Sequence, residues 1–189
     1  MRVGLFGGSF NPAHSGHAHV ARTAMKRLGL DRLIWLVSPQ NPLKSSHETA
    51  PLTERMASAR RQSAPGQIIS DAETRLGVRY TIDTLRTLKA RFPGVQFVWV
   101  MGADNLAGFH RWLGWTEIMR NVPIAVVARP GTQLSSRFSA AAQRFPHARK
   151  PFRQGRIHPR IKPPALIILR GPMDPASSTA IRAARTART

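Results

Sequence analysis

The sequence predicts an α/β fold, a doubly wound parallel sheet, on three observations. Short apolar segments alternate with helix-like ones along the 189 residues. The apolar runs Leu33–Val37, Val95–Met101 and Ala165–Leu169 are continuous rather than alternating, as strands are when helices cover both faces of a sheet. Strand signals lead through turn residues into helical periodicity, the mark of βαβ units. Right-handed crossovers then wind such a sheet doubly.

The elements follow in order. Arg2–Phe6 reads as a buried strand ending in a Gly7-Gly8 turn, and His17–Leu28 as a helix with Val20, Ala21, Ala24, Met25 and Leu28 on its apolar face. Leu33–Val37 is the second strand, and Ser38–Pro51 a polar loop with three prolines. A helix runs from Thr53 to about Ser63, and a weaker strand covers Gln67–Asp71. Thr81–Phe92 is a helix stopped by Pro93-Gly94, and Val95–Met101 is the strongest strand signal. Ala103–Phe109 and Thr116–Met119 are helical turns, Pro123–Ala128 a strand, and Ser136–Phe145 a helix. Pro146–Pro164 reads as a basic, proline-rich loop, Ala165–Leu169 as the last strand and Ser177–Arg188 as the last helix. Residues 1–189 are expected to form a single domain. In such sheets ligands bind beyond the carboxyl ends of the strands, so the loops after Phe6, Val37, Asp71, Met101, Ala128 and Leu169 are the ones to inspect.

Composition narrows the function. The chain has no cysteine, which excludes disulfide scaffolds, thiolate metal sites and cysteine nucleophiles. No apolar stretch approaches the roughly 20 residues of a membrane helix, and the N-terminus lacks the apolar region of a signal peptide, so a cytoplasmic protein without a membrane partner is expected. Lys and Arg number 29 against 9 Asp and Glu, a formal charge of +20. Residues 130–189 hold 12 basic residues and one acidic one. Such an excess attracts polyanions, yet it also arises in any arginine-rich proteome. It is spread along the chain and accompanies no helix-turn-helix or RNA-recognition motif, so a nucleic-acid-binding module is the secondary expectation and no specific nucleic acid is expected.

The loop after the first strand carries chemistry. It reads Gly7-Gly8-Ser9-Phe10-Asn11-Pro12-Ala13-His14-Ser15-Gly16-His17. Glycines allow close backbone approach, Ser9 can donate to a phosphate oxygen, and His14 and His17 fall on one side of a helical turn. A helix start adds backbone N–H groups and a favourable dipole for an anion. The dinucleotide fingerprint and the Walker pattern are both absent. No third metal ligand has suitable spacing, so no metal-ligating residues are assigned, and the isolated His19, His147 and His158 read as structural.

The stretch GGSFNPAHSGH resembles the signature of the HxGH nucleotidylyltransferase superfamily, usually written GGTFDPxHxGH. Ser177-Ser178-Thr179-Ala180-Ile181-Arg182 resembles its second signature, ISSTxIR. Pro39–Lys44, Tyr80–Leu85, Gly102–Trp112 and Arg129-Pro130-Gly131 resemble the nicotinate mononucleotide adenylyltransferases within it. The similarity spans residues 3–182 and implies a Rossmann-like nucleotidylyltransferase fold. It also implies adenylyl transfer from ATP, with Mg²⁺, to nicotinate mononucleotide, in NAD biosynthesis. A phosphate nucleophile needs no general base, so positioning and charge stabilisation suffice.

The resemblance implies roles by position. His14, His17, Lys44 and Arg182 would act on the transferring phosphoryl group and the triphosphate. Gly7, Gly8, Ser9, Phe10, Gly16, Ser178 and Thr179 would hold ATP and its phosphates. Thr81, Asp104 and Trp112 would hold nicotinate mononucleotide, Trp112 by stacking on the pyridine. From spacing alone, Trp112 and Trp115 read as core and Ser177–Thr179 as a helix cap. Trp35 and Trp99 read as core. Asn11 stands where the family often has Asp, Leu43 departs from the usual proline or histidine, and the chain stops soon after Arg182, which leaves oligomeric state open. The alternative acceptors are nicotinamide mononucleotide and phosphopantetheine.

Overall fold

The protein is represented by a computed structural model that describes residues 1–39, 49–128, 139–150, 161–169, 178–179 and 181–182. Among the described residues seven parallel strands form one sheet: β1 Arg2–Gly8, β2 Arg32–Val37, β3 Gln67–Ser70, β4 Gln96–Gly102, β5 Ile124–Val127, β6 Arg149–Lys150 and β7 Leu166–Leu169. Their spatial order is β3-β2-β1-β4-β5-β7-β6. The sheet grows outward from β1 to β3, then returns to the other side of β1 to lay down β4. β1 and β4 are therefore neighbours at a topological switch point, where a crevice opens beyond the strand ends. The register runs Phe6 to Trp35 on one side and Phe6 to Val100 on the other.

Between residues 1 and 150 the α-helices of the described residues are α1 Ser15–Leu28, α2 Leu52–Gln62, α3 Ala72–Arg75, α4 Thr81–Arg91, α5 Ala103–Gly108, α6 Trp115–Asn121 and α7 Ala140–Arg144. Strand alternation sorts the side chains into two cores. Val3, Leu5, Phe97, Trp99 and Met101 pack with Ile82, Leu85, Leu106, Phe109 and Ile118 on one face. Phe6, Leu33, Trp35, Val98, Val100 and Val127 pack with Val20, Ala21, Ala24 and Ala59 of α1 and α2 on the other. The alanines at 18, 21 and 24 let α1 lie close to the sheet. α1 ends at Gly29, whose φ of 59° is the left-handed cap that glycine adopts without strain. Among the described residues no helix is long and apolar enough to cross a membrane.

Two expectations need correction. β1 does not turn at Gly7 and Gly8 but continues through both, paired with Leu36 and Val37. A side chain at Gly7 would lie 2.6 Å from the ring tip of buried Trp99, and one at Gly8 would lie 3.0 Å from the Phe10 ring. The glycines thus make room for aromatic rings beneath the loop. The start of the Pro146–Pro164 segment is ordered rather than a loop. Pro146–Ala148 is a 3₁₀ turn anchored by buried Ala148, and Arg149 and Lys150 pair with Leu166 and Ile167. β7 would otherwise leave its outer backbone groups unpaired, and two charged residues give no strand pattern to read. α3, on which the sequence carried no expectation, is a single turn, too short to show a period. Residues 151–160, and the 183–188 part of the last helix, lie outside the described residues.

Trp35 and Trp99 are both buried, as expected. Replacing Gly7 by Ala should destabilise the fold by about 1–3 kcal/mol, the usual cost of forcing an atom into a packed core. Chemical denaturation checks this; an unchanged midpoint would mean that the Trp99 ring moves freely aside.

Candidate active site

β1 and β4 end side by side at Gly8 and Gly102, and the loops after them face the same crevice. The loop after β1 turns on Phe10, which has a φ of 47° and is 1% exposed. A bulky residue adopts that conformation only when packing dictates it. Here the Phe10 ring is held among Phe6, Trp35 and His17, with centroids 5.2, 5.0 and 5.1 Å away. The chain then enters α1, with His14 as the N-cap and His17 three residues on.

The two histidines are coupled. The His14 backbone N–H donates to His17 Nδ1 at 3.3 Å, and the two rings lie with centroids 3.9 Å apart. Nδ1 of His17 is thereby an acceptor, so in the neutral ring the proton sits on Nε2, at the far side. His14 is buried and His17 half-buried. Two imidazole rings at the start of a helix of 14 residues, with Ser15 and Gly16 in its first turn, make a donor-rich surface suited to an oxyanion.

The second signature meets the first. Ser178 Oγ donates to the Pro12 carbonyl at 3.0 Å, and Arg182 Nη1 donates to the Asn11 carbonyl at 2.8 Å. Ser178, Thr179, Ile181 and Arg182 are helical. Segments more than 160 positions apart are thus joined at one loop. Lys44 and Ser177 lie outside the described residues.

Sequence reasoning missed Arg55 and Ser58. Arg55 is 2% exposed. Its Nε donates to the Ala50 carbonyl at 2.8 Å, Nη1 to Ser9 and Ser38 carbonyls at 2.8 and 2.7 Å, and Nη2 to the Pro39 carbonyl at 2.9 Å. Burial pulls its pKa below the ordinary guanidinium value. Ser58 Oγ accepts the Ala13 N–H at 3.0 Å and donates to the Arg55 carbonyl. Asn11 Oδ1 accepts the Ala50 N–H at 3.3 Å. The signal was present: Leu52, Arg55 and Ala59 are spaced as one helix face, and a cation on a face that carries the core is itself informative.

The remaining positions lie toward β4. Asp104 is exposed in the first turn of α5, directly after β4. Trp112 is half-buried, edge-on to Trp99 at 6.1 Å and to Phe109 at 5.3 Å. Thr81 is the first residue of α4. The turn after Trp112 packs on that helix, where the Cβ position of Gly114 lies 3.3 Å from Ile82. The start of α4 is braced from behind by Glu73, which is buried and accepts the Thr84 hydroxyl at 3.0 Å. Burial pushes the Glu73 carboxyl above its usual value, against the smaller opposing effect of that hydrogen bond.

Residues 5–184 match the cytidylyltransferase-like family. The chain belongs to the cytidylyltransferase-like family. A probable nicotinate-nucleotide adenylyltransferase of Caulobacter sp. (strain K31) is 66% identical over 187 residues, covering 98% of this chain and 99% of that protein. One of the same name from Roseobacter denitrificans is 54% identical over 181 residues, covering 95% and 90%. The solved structure of Plasmodium falciparum nicotinic acid mononucleotide adenylyltransferase complexed with NaAD superposes with a TM-score of 0.72. It covers 96% of this chain and 82% of that one at 15% identity, a likeness of fold.

Glu73 gives this site a pH signature. Its folded pKa is raised, so the folded state keeps the proton at pH values where the unfolded chain has lost it. Stability from this group therefore falls as pH rises from the ordinary value of 4.5 toward the raised one. Glu73→Gln should remove that component, so that the melting-temperature difference between variant and wild type changes across this window. A constant difference across the window would contradict the assignment.

Proposed function

We propose that the chain transfers the adenylyl group of ATP to nicotinate mononucleotide, forming nicotinate adenine dinucleotide and pyrophosphate. The observation that carries this reading is the junction of the two signature segments, Ser178 and Arg182 on the carbonyls of Pro12 and Asn11, beside the paired histidines. The names of the relatives at 66% and 54% identity support it.

In this reading a phosphate oxygen of the acceptor attacks the α-phosphorus of ATP, and the bond to the bridging oxygen of pyrophosphate breaks. The attacking oxygen is already anionic, so no side chain need remove a proton. The work is positioning, and neutralising charge that spreads over the phosphoryl oxygens. His17 presents Nε2–H to those oxygens, its ring held by the His14 N–H and by Phe10. His14, the first-turn N–H groups of α1, Ser9 and Gly16 surround the same phosphates. Thr179 and Arg182 face the leaving pyrophosphate, joined by Lys44. The facing donors are imidazole, hydroxyl and guanidinium groups, which suit an anion. The divalent cation therefore enters on the triphosphate, as the substrate Mg²⁺-ATP. Trp112 stacks on the pyridine ring, Thr81 at the start of α4 meets its carboxylate, and Asp104 takes a ribose hydroxyl. A cytoplasmic site of action fits these substrates.

Pyrophosphate release with Mg²⁺-ATP tests the acceptor. Turnover should strongly favour nicotinate mononucleotide over nicotinamide mononucleotide and phosphopantetheine; preference for another acceptor would overturn the specificity while keeping the histidine chemistry. His17→Ala should lower kcat by about 10²–10³, the cost of losing one donor to a transition-state oxyanion, with the melting temperature little changed. Retained turnover would remove His17 from the mechanism. Trp112→Ala should raise KM for the pyridine mononucleotide about tenfold and leave that for ATP near its original value. Equal loss for both substrates would make Trp112 a packing residue.

A further inference from the structure

We propose that Arg55 is a positioning residue of the nucleotide site: one buried guanidinium locks the loop after β1 to both ends of the loop after β2 and fixes a positive charge beneath the phosphates. The inference rests on the adenylyl-transfer reading above and concerns a residue outside both signatures.

The geometry is specific to arginine. Its hydrogen bonds reach three separate segments: Ser9 after β1, Ser38 and Pro39 where the chain leaves β2, and Ala50 where it returns toward α2. All four partners are carbonyls, and among the described residues Arg55 has no ion pair. A buried charge without a carboxylate is a costly way to fill space, since an apolar side chain of similar volume would pack there with less penalty. What the guanidinium alone supplies is a planar fork that fixes several acceptors at once. Lysine offers a single nitrogen and no fork.

Two consequences follow for the nucleotide. First, the Ser9 carbonyl is drawn inward to Arg55. A trans peptide is planar, so the Phe10 N–H of the same unit points to the opposite side. A guanidinium on the carbonyl polarises that N–H as a donor. Second, Arg55 holds both Ser38, where the chain leaves β2, and Ala50, where it approaches α2, so both share one anchor with the histidine loop. Phosphates entering above that anchor meet a positive charge that no described carboxylate offsets.

The test compares wild type with Arg55→Lys, using Mg²⁺-ATP and nicotinate mononucleotide. The melting temperature scores folding, and quenching of tryptophan fluorescence gives the affinity for the mononucleotide. kcat/KM for Mg²⁺-ATP should fall about a hundredfold, the scale of a 1 Å misplacement. Mononucleotide affinity should stay within about twofold, and added methylguanidine should restore part of the activity of Arg55→Ala. Wild-type-like kinetics for Arg55→Lys, or equal losses for both substrates, would overturn the proposal. If the lysine variant does not fold, the ¹⁵N resonances of the Arg55 guanidinium in the wild type decide. They should shift on adding Mg²⁺-pyrophosphate and not on adding nicotinate mononucleotide; no shift with pyrophosphate would overturn the proposal. A wild-type chain that turns over no acceptor would refute the parent reading instead, and the resonance experiment would still judge Arg55.

Discussion

The carbonyl groups of the loop after β1 are held from two sides. Arg55 takes Ser9, Arg182 takes Asn11, and the Ser178 hydroxyl takes Pro12. Of these peptide units Ser9–Phe10 is the one with an N–H left to turn the other way, toward an anion, since Pro12 carries none and the Ala13 N–H is taken by Ser58 Oγ. The rest of the site depends on that anchoring. It brings α1 in with its N-terminus facing the crevice, sets His14 as the cap, and places His17 against Phe10. It also explains the positive φ of Phe10, a conformation kept because aromatic packing and fixed carbonyls leave the residue no other.

The sheet supplies the frame. Parallel strands put every carboxyl end on one side, and the reversal of strand order between β1 and β4 opens the crevice there. Histidines, hydroxyls and guanidinium groups come from loops and helices far apart in sequence, with Ser9 directly after β1, His14 as the cap of α1 and Arg55 inside α2. Rigid elements thus fix the donors before the ligand arrives, which is the economical arrangement for a reaction that needs positioning more than proton transfer. The chain's charge of +20 adds a long-range field that draws in triphosphate and is weakened by salt.

Much of this was legible in the sequence. Continuous apolar runs identify buried parallel strands, and paired glycines followed by paired histidines mark the loop between β1 and α1. The helical character of Ser178, Thr179, Ile181 and Arg182 was also readable. What escaped had physical reasons. β6 is two charged residues whose strand geometry comes from pairing with β7, not from their own propensity. Gly7 and Gly8 read as a turn because glycine usually signals one, whereas here they leave room for Trp99 and Phe10. Arg55 sits in an ordinary helix, outside any motif. Its partners are backbone carbonyls, which no side-chain pattern records.

The most direct test of this account is amide hydrogen exchange with and without Mg²⁺ and an ATP analogue carrying a methylene bridge between the α- and β-phosphorus. The account predicts slowed exchange in residues 9–17 and 178–182 together. It predicts no change at the opposite end of the sheet, around the cavity of about 410 Å³ lined by Arg2, Gln96 and Pro123. Protection at that opposite end, with residues 9–17 unaffected, would contradict the claim that the two signature segments form one phosphate site.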